Sequence, residues 1–128
     1  MTSKEAIEYT IKQWEYIRNV VNKDDFNKHI PIKSGIGTYI TNLKTKYIRQ
    51  KYGSSLLNGC FLCTYTCTMS KHEIINCELC PIPYNLIMKD IKCHIQEFWD
   101  IVHSVTFDEF TTNIDKFISM LKGRECVV

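Results

Sequence analysis

No Asp or Glu occurs in residues 26–72, although the 128-residue chain carries fourteen carboxylates beside sixteen Lys and Arg. The same stretch holds Lys28, Lys33, Lys44, Lys46, Arg49, Lys51 and Lys71. A net charge of only +2 hides this segregation. One-sided charge of this kind is either the footprint of an anionic partner or a solvated face balanced by acidic helices elsewhere. Long apolar runs are missing as well. No stretch of eighteen apolar residues exists, so no membrane span is expected. The opening Met-Thr-Ser-Lys-Glu-Ala-Ile-Glu has no apolar core segment, so no secretory signal is expected. Alanine and glycine are scarce while Lys, Ile, Asn and Tyr abound, a coding bias of AT-rich genomes that says nothing of fold.

Catalytic signatures are lacking too. The chain has no nucleophile elbow, no His/Glu metal motif and no paired-carboxylate constellation. A deaminase would need His-x-Glu ahead of Pro-Cys-x-x-Cys, whereas here Cys80 precedes Pro81. His94 and His103 are nine residues apart, not the four of a metalloprotease helix. Ser34-Gly35-Ile36-Gly37-Thr38 lacks the preceding strand and the Gly-Lys-Thr of a phosphate loop, and reads as a helix entry with Ser34 as cap. An enzyme is not expected.

What the chain does have is cysteine, seven residues of it. Cys60-Phe61-Leu62-Cys63 is followed, after thirteen residues, by Cys77-Glu78-Leu79-Cys80-Pro81. Each C-x-x-C turn sets two sulfurs on one side of a tight knuckle. Two facing knuckles supply four thiolates at the corners of a tetrahedron, which suits Zn2+. Soft thiolates also suit iron–sulfur clusters. Reduced buried cysteines and disulfides are the non-metal alternatives. An odd cysteine count without a secretory signal points to a reducing compartment, where such pairs bind metal more often than they oxidise. The expected ligands are Cys60, Cys63, Cys77 and Cys80, with Phe61, Leu62 and Leu79 sealing the site. Cys67, His72 and Cys93 are further donors, of which Cys93 is the first substitute.

Around this segment lie helical patterns. Residues 3–22 carry Ile7, Ile11, Trp14, Ile17 and Val21 at three- and four-residue steps, and Thr2 with Glu5 fits a capping box. Residues 22–28 are polar and read as the loop closing that helix. After an irregular stretch at Pro31, residues 36–52 place Ile36, Tyr39, Ile40, Leu43, Tyr47 and Ile48 on one stripe. Lys44, Lys46, Arg49 and Lys51 gather in its C-terminal half, where they complement the helix dipole and form the candidate site for an anionic partner. Gly53 fits the position just past the helix end. From Pro83 to about Ser104, Ile87, Ile91, Ile95, Phe98 and Val102 keep helical spacing, with a break near Cys93. Thr106-Phe107-Asp108-Glu109 is a second capping box. Phe110, Ile114, Phe117 and Leu121 follow, and Gly123 is expected to stop that helix. The expected fold is mainly α: one domain over residues 1–128, of about four helices stapled by a four-cysteine zinc knuckle or ribbon. Residues 1–59 supply the N-terminal helices, 60–83 the metal segment and 84–128 the C-terminal helices.

The chain resembles small uncharacterised zinc-binding proteins encoded by tailed phages and prophages. The shared features are Lys12-Gln13-Trp14-Glu15, the pairs Cys60/Cys63 and Cys77/Cys80-Pro81, Cys93 ahead of Phe98-Trp99, and a C-terminal amphipathic helix over 107–122. Residues 30–59, with their basic helix, look longer than such proteins usually have. The resemblance implies a phage-encoded zinc protein acting in a bacterial cytoplasm. It implies no activity.

Two binding functions follow as expectations. One is a non-enzymatic protein of a mobile element that binds a host factor or an anionic signalling molecule, counteraction of host defence included. The alternative is a nucleic-acid-binding zinc module, with phosphates on Lys44, Lys46, Arg49 and Lys51 and bases stacked on Tyr47, Tyr52 or Tyr65. Against the second stands the modest net charge.

Overall fold

The computed structural model describes residues 2–29, 35–52, 61–62 and 96–125. Five helices appear in them: α1 (Ser3–Val20), α2 (Lys23–His29), α3 (Gly35–Tyr52), α4 (Gln96–Val102) and α5 (Phe107–Glu125). No strand occurs among the described residues. The mainly α expectation is met, and α2 is a helix that the sequence pattern does not predict.

α1 begins as expected. The Thr2 hydroxyl accepts from the Glu5 N–H at 3.1 Å, and the Glu5 carboxylate accepts from the Thr2 N–H at 3.2 Å. Two donors left orphaned at a helix start are thereby satisfied. The helix stops at Val20, because Val21 turns extended while its N–H still donates to the Ile17 carbonyl.

The loop expected at residues 22–28 is instead the start of α2. Asn22 acts as its cap: its side-chain oxygen accepts from the Asp25 N–H at 2.8 Å, and its carbonyl from the Phe26 N–H at 3.1 Å. Asp24 and Asp25 sit in the first turn and Lys28 and His29 in the last, as the dipole favours. Two turns hold a single buried apolar residue, Phe26, so no stripe could announce the helix. Its sequence signals were the Asn22 cap and the acidic-first, basic-last order of its charges.

α4 ends at Val102. The Ser104 hydroxyl donates to the Asp100 carbonyl at 2.9 Å, and the Asn113 amide of α5 donates to that carbonyl at 3.1 Å and to the Ser104 hydroxyl oxygen at 3.0 Å. This knot ties the turn to the helix that follows. Thr106 caps α5, its hydroxyl accepting from the Glu109 N–H at 3.1 Å. Gly123 does not stop α5, which runs on to Glu125. Its backbone stays out of the left-handed region, so the glycine acts as an ordinary, weak helix former.

Packing follows the stripes. α1 lies antiparallel against α5, since Trp14 meets Phe117 while the later Arg18 meets the earlier Asp115 at 2.9 Å. The Trp14 side chain is 1% exposed and takes two rings edge-on, Phe117 at 5.4 Å and Phe98 of α4 at 6.0 Å. Phe26 closes the other end against Phe110 at 5.0 Å and Phe107 at 6.1 Å. Edge-on geometry sets the positive rim of one ring against the negative face of another.

Trp14→Ala should lower unfolding free energy by about 3–5 kcal/mol, read by urea denaturation. A cost below about 1 kcal/mol would mean that Trp14 is not the core anchor. At the helix start, the Thr2 backbone N–H and then its hydroxyl hold the Glu5 carboxyl below the usual glutamate range. A lowered folded value gives stability that is present above the unfolded value and lost as pH falls through the folded one. Thr2→Ala should cost about 1 kcal/mol and move the Glu5 carboxyl titration, followed by NMR, only part of the way back to the ordinary range, because the backbone N–H at position 2 remains.

Candidate functional site

The cations of α3 do not form one face. Lys44 stands four residues after Ile40 and four before Ile48, and both isoleucines are fully buried. At 3.6 residues per turn all three share the inward side. Lys44 is accordingly 8% exposed. Its ammonium lies 5.0 Å from the Phe98 ring centroid and 6.0 Å from that of Trp14. This corrects the expectation that Lys44 joins Lys46, Arg49 and Lys51 in one candidate site for an anionic partner. Its four-carbon stem fills the core edge while its charge rests on ring faces. The Lys44 backbone is engaged as well, its carbonyl accepting from the Gln13 amide at 3.3 Å.

Lys51 follows Lys44 by seven residues, close to two full turns, and so points to the same side. It lies beyond the last buried contact of the helix and is exposed. Lys46 and Arg49, three residues apart, occupy the outward side and are exposed. Thr38, Thr41, Asn42 and Gln50 are exposed with them. The Thr41 hydroxyl donates back to the Gly37 carbonyl at 2.9 Å, and Thr45 to the Thr41 carbonyl at 3.0 Å. α3 contains no carboxylate. The helix therefore presents two outward cations among uncharged polar groups, with a third at its last turn.

Tyr47, expected as a surface for stacked bases, is 3% exposed. It packs on Tyr16 at 5.1 Å and shares a small cluster with Ile48 and Phe61. No base can reach its face there. The Tyr52 side chain and Tyr65 lie outside the described residues.

All seven cysteines also lie outside the described residues, as do His72, Leu79 and His94. Cys60, Cys63, Cys77 and Cys80 therefore keep their standing as a sequence expectation. The two residues inside the first pair are described. Phe61 and Leu62 are helical and deeply buried, at 3% and 2% exposure. Phe61 sits 5.3 Å from the Tyr9 ring, and Leu62 joins the main core. Neither is a surface residue that could dock a partner. Among the described residues no three of His, Cys, Asp and Glu gather as a metal site would require. His103 is occupied locally: its ring stacks on Trp99 at 4.0 Å and its Nδ1–H donates to the Trp99 carbonyl at 2.9 Å.

Two features escaped the sequence pattern. Tyr9 and Tyr16, seven residues apart on α1, make a second strip beside the Ile/Trp stripe and receive Phe61 and Tyr47. Their spacing was a usable signal. The other is a pair from α2 and α3, His29 against Tyr39 at 4.0 Å. Burial, then the charges of Asp25 and Tyr16, push the Tyr39 phenol above its usual range. No spacing within one helix could have announced that pair.

Lys44→Glu should destabilise the protein by at least about 2 kcal/mol, because the ring contacts are lost and a carboxylate meets ring faces. Lys46→Glu should stay within about 0.5 kcal/mol of the parent. Equal urea midpoints for the two variants would remove Lys44 from the core.

Comparison with protein-family models, with curated proteins and with solved structures returns no match, so the resemblance to phage-encoded zinc proteins rests on the residues quoted for it.

Proposed function

We propose that this chain is a non-catalytic binding protein: a helical body stapled by Zn2+ that engages an anionic partner through Lys46, Arg49 and Lys51. The observation that carries the reading is the outward side of α3, where Lys46 and Arg49 stand exposed on a helix with no carboxylate. Lys44 leaves the proposed contact set because of its burial.

Zinc enters through the donor chemistry. Cys60, Cys63, Cys77 and Cys80 offer four soft thiolates at the spacing of two knuckles, a set that zinc fills completely. A filled tetrahedron leaves no position for a catalytic water, which fits a structural role. Phe61 and Leu62 add a physical reason why the first pair would be held against the helices. The partner is a host factor with an anionic face or an anionic signalling molecule, in the bacterial cytoplasm that the phage resemblance implies. Counteraction of host defence belongs to the same reading. The nucleic-acid alternative is weaker than the sequence suggested. Tyr47 is buried and Lys44 withdrawn, so a proposed stacking surface and a phosphate contact are both lost.

The test has two arms. Elemental analysis of protein purified without chelator should give about one zinc per chain. Less than a tenth of an equivalent would refute the staple, and iron with visible absorbance would reassign it. Cys60→Ser, Cys63→Ser, Cys77→Ser and Cys80→Ser should each lose the metal, while Cys67→Ser and Cys126→Ser keep it. In the second arm, Lys46→Glu, Arg49→Glu and Lys51→Glu are combined. The triple variant should keep its helical circular dichroism. It should lose more than about 3 kcal/mol of affinity for the species that co-purifies from bacterial lysate, since each charge-assisted contact is worth about 1.5–3 kcal/mol. Undiminished affinity would make this side of α3 a solvated surface only. A log–log salt slope near 0.9 per phosphate contact would favour nucleic acid instead.

A further inference from the structure

We infer that Phe61 and Leu62 anchor the first cysteine pair to α1 and α3, so that zinc loading and the docking of α3 are coupled. The inference rests on the zinc reading above and adds to it a pair of positioning residues. Coordination by a C-x-x-C pair asks only for the two sulfurs, so the side chains between them could be polar and solvated. Here both are buried. They also enter different clusters. Leu62 joins the main core with Trp14, Ile40 and Ile101, while Phe61 joins Tyr47 and Ile48, with Tyr9 and Tyr16 around them.

Two consecutive residues thus bridge both apolar clusters, and each is covalently bonded to a proposed ligand. The cluster that Phe61 enters is built from the inward side of α3, whose outward side carries Lys46 and Arg49. A metal that binds only the ordered arrangement stabilises that arrangement by mass action. Its binding energy at such a site is folding energy. Coupling of this kind is reciprocal, so whatever loosens Phe61 must weaken zinc, and removal of zinc must loosen α3.

The experiment measures zinc affinity of the full chain by competition with a chromophoric chelator. Phe61→Ala should bind zinc about 10–100-fold more weakly, the effect typical of groups that support metal ligands. Phe61→Leu should recover most of that loss. Ile114→Val, a core change on α5, should leave zinc affinity unchanged. Hydrogen exchange on the unmutated chain supplies the reciprocal reading, and it decides the matter if Phe61→Ala does not fold. Stripping zinc should speed exchange at Tyr47 and Ile48 of α3 well before Ile114 and Phe117 of α5. Parent-like zinc affinity in a helical Phe61→Ala protein overturns the inference while leaving the staple standing. So does equal protection of Tyr47 and Ile48 with and without zinc. A parent chain that takes up no zinc overturns the staple itself, and the coupling with it.

Discussion

Three helices bring a group to Trp14 of α1: α4 sends Phe98, α5 sends Phe117, and α3 sends the ammonium of Lys44. The indole has two apolar faces and an electropositive rim, so rings meet it edge-on and a cation settles over its face. Both attractions grow as water is excluded, and Trp14 is almost completely excluded from water. The positions of α3, α4 and α5 about α1 are therefore tied to one side chain. Phe26 repeats part of the pattern from α2, with Phe107 and Phe110 around it. Aromatic area supplies the apolar burial, and ring geometry selects one arrangement among the many that area alone would allow.

Much of this was legible in the sequence. Ile7, Ile11, Trp14 and Ile17 keep helical spacing and are all buried. Ile36, Ile40 and Ile48 do so on α3, and Phe110, Ile114, Phe117 and Leu121 on α5. Thr2 and Thr106 marked their helix starts because the first-turn N–H groups need acceptors and nothing nearer supplies them. The failures share a cause, which is that residue type was allowed to decide what position decides. Lys44 looked like a surface charge although its phase placed it between two buried isoleucines. Tyr47 looked like a stacking platform although it sat on the same inward stripe. Gly123 looked like a stop although its backbone takes no left-handed turn. α2 is too short to show a period, and only its cap and the charges at its two ends were visible. Of the candidate site, the cations could be named from the sequence. Which of them face outward is set by their phase against Ile40, Tyr47 and Ile48.

α3 emerges as a helix with two separate duties. Its inward side combines an aliphatic stripe with a buried lysine and a buried tyrosine. Its outward side is polar, cationic and free of carboxylates. Phe61, which stands between Cys60 and Cys63 in sequence, packs on the inward side of the helix whose outward side bears Lys46 and Arg49. Phe61 packs beside Tyr47 and Ile48, the neighbours in sequence of Lys46 and Arg49. Phe61 follows the end of α3 by nine positions and returns to the inward side of that helix.

The antiparallel pairing of α1 with α5 also sets an order in time. Arg18 and Asp115 stand 97 positions apart in the chain. α1 is the earliest of the described helices to be synthesised and α5 the last. Contacts between such distant segments are slow to form because a long loop must close first. Until α5 arrives, α3 can cover only part of the α1 stripe, and Trp14 lacks the Phe117 ring. The turn between α4 and α5 works the other way. Asn113 reaches back only to Asp100 and Ser104, so this helical hairpin can assemble locally. The C-terminal hairpin is thus held by local contacts, whereas its packing on α1 joins residues 97 positions apart.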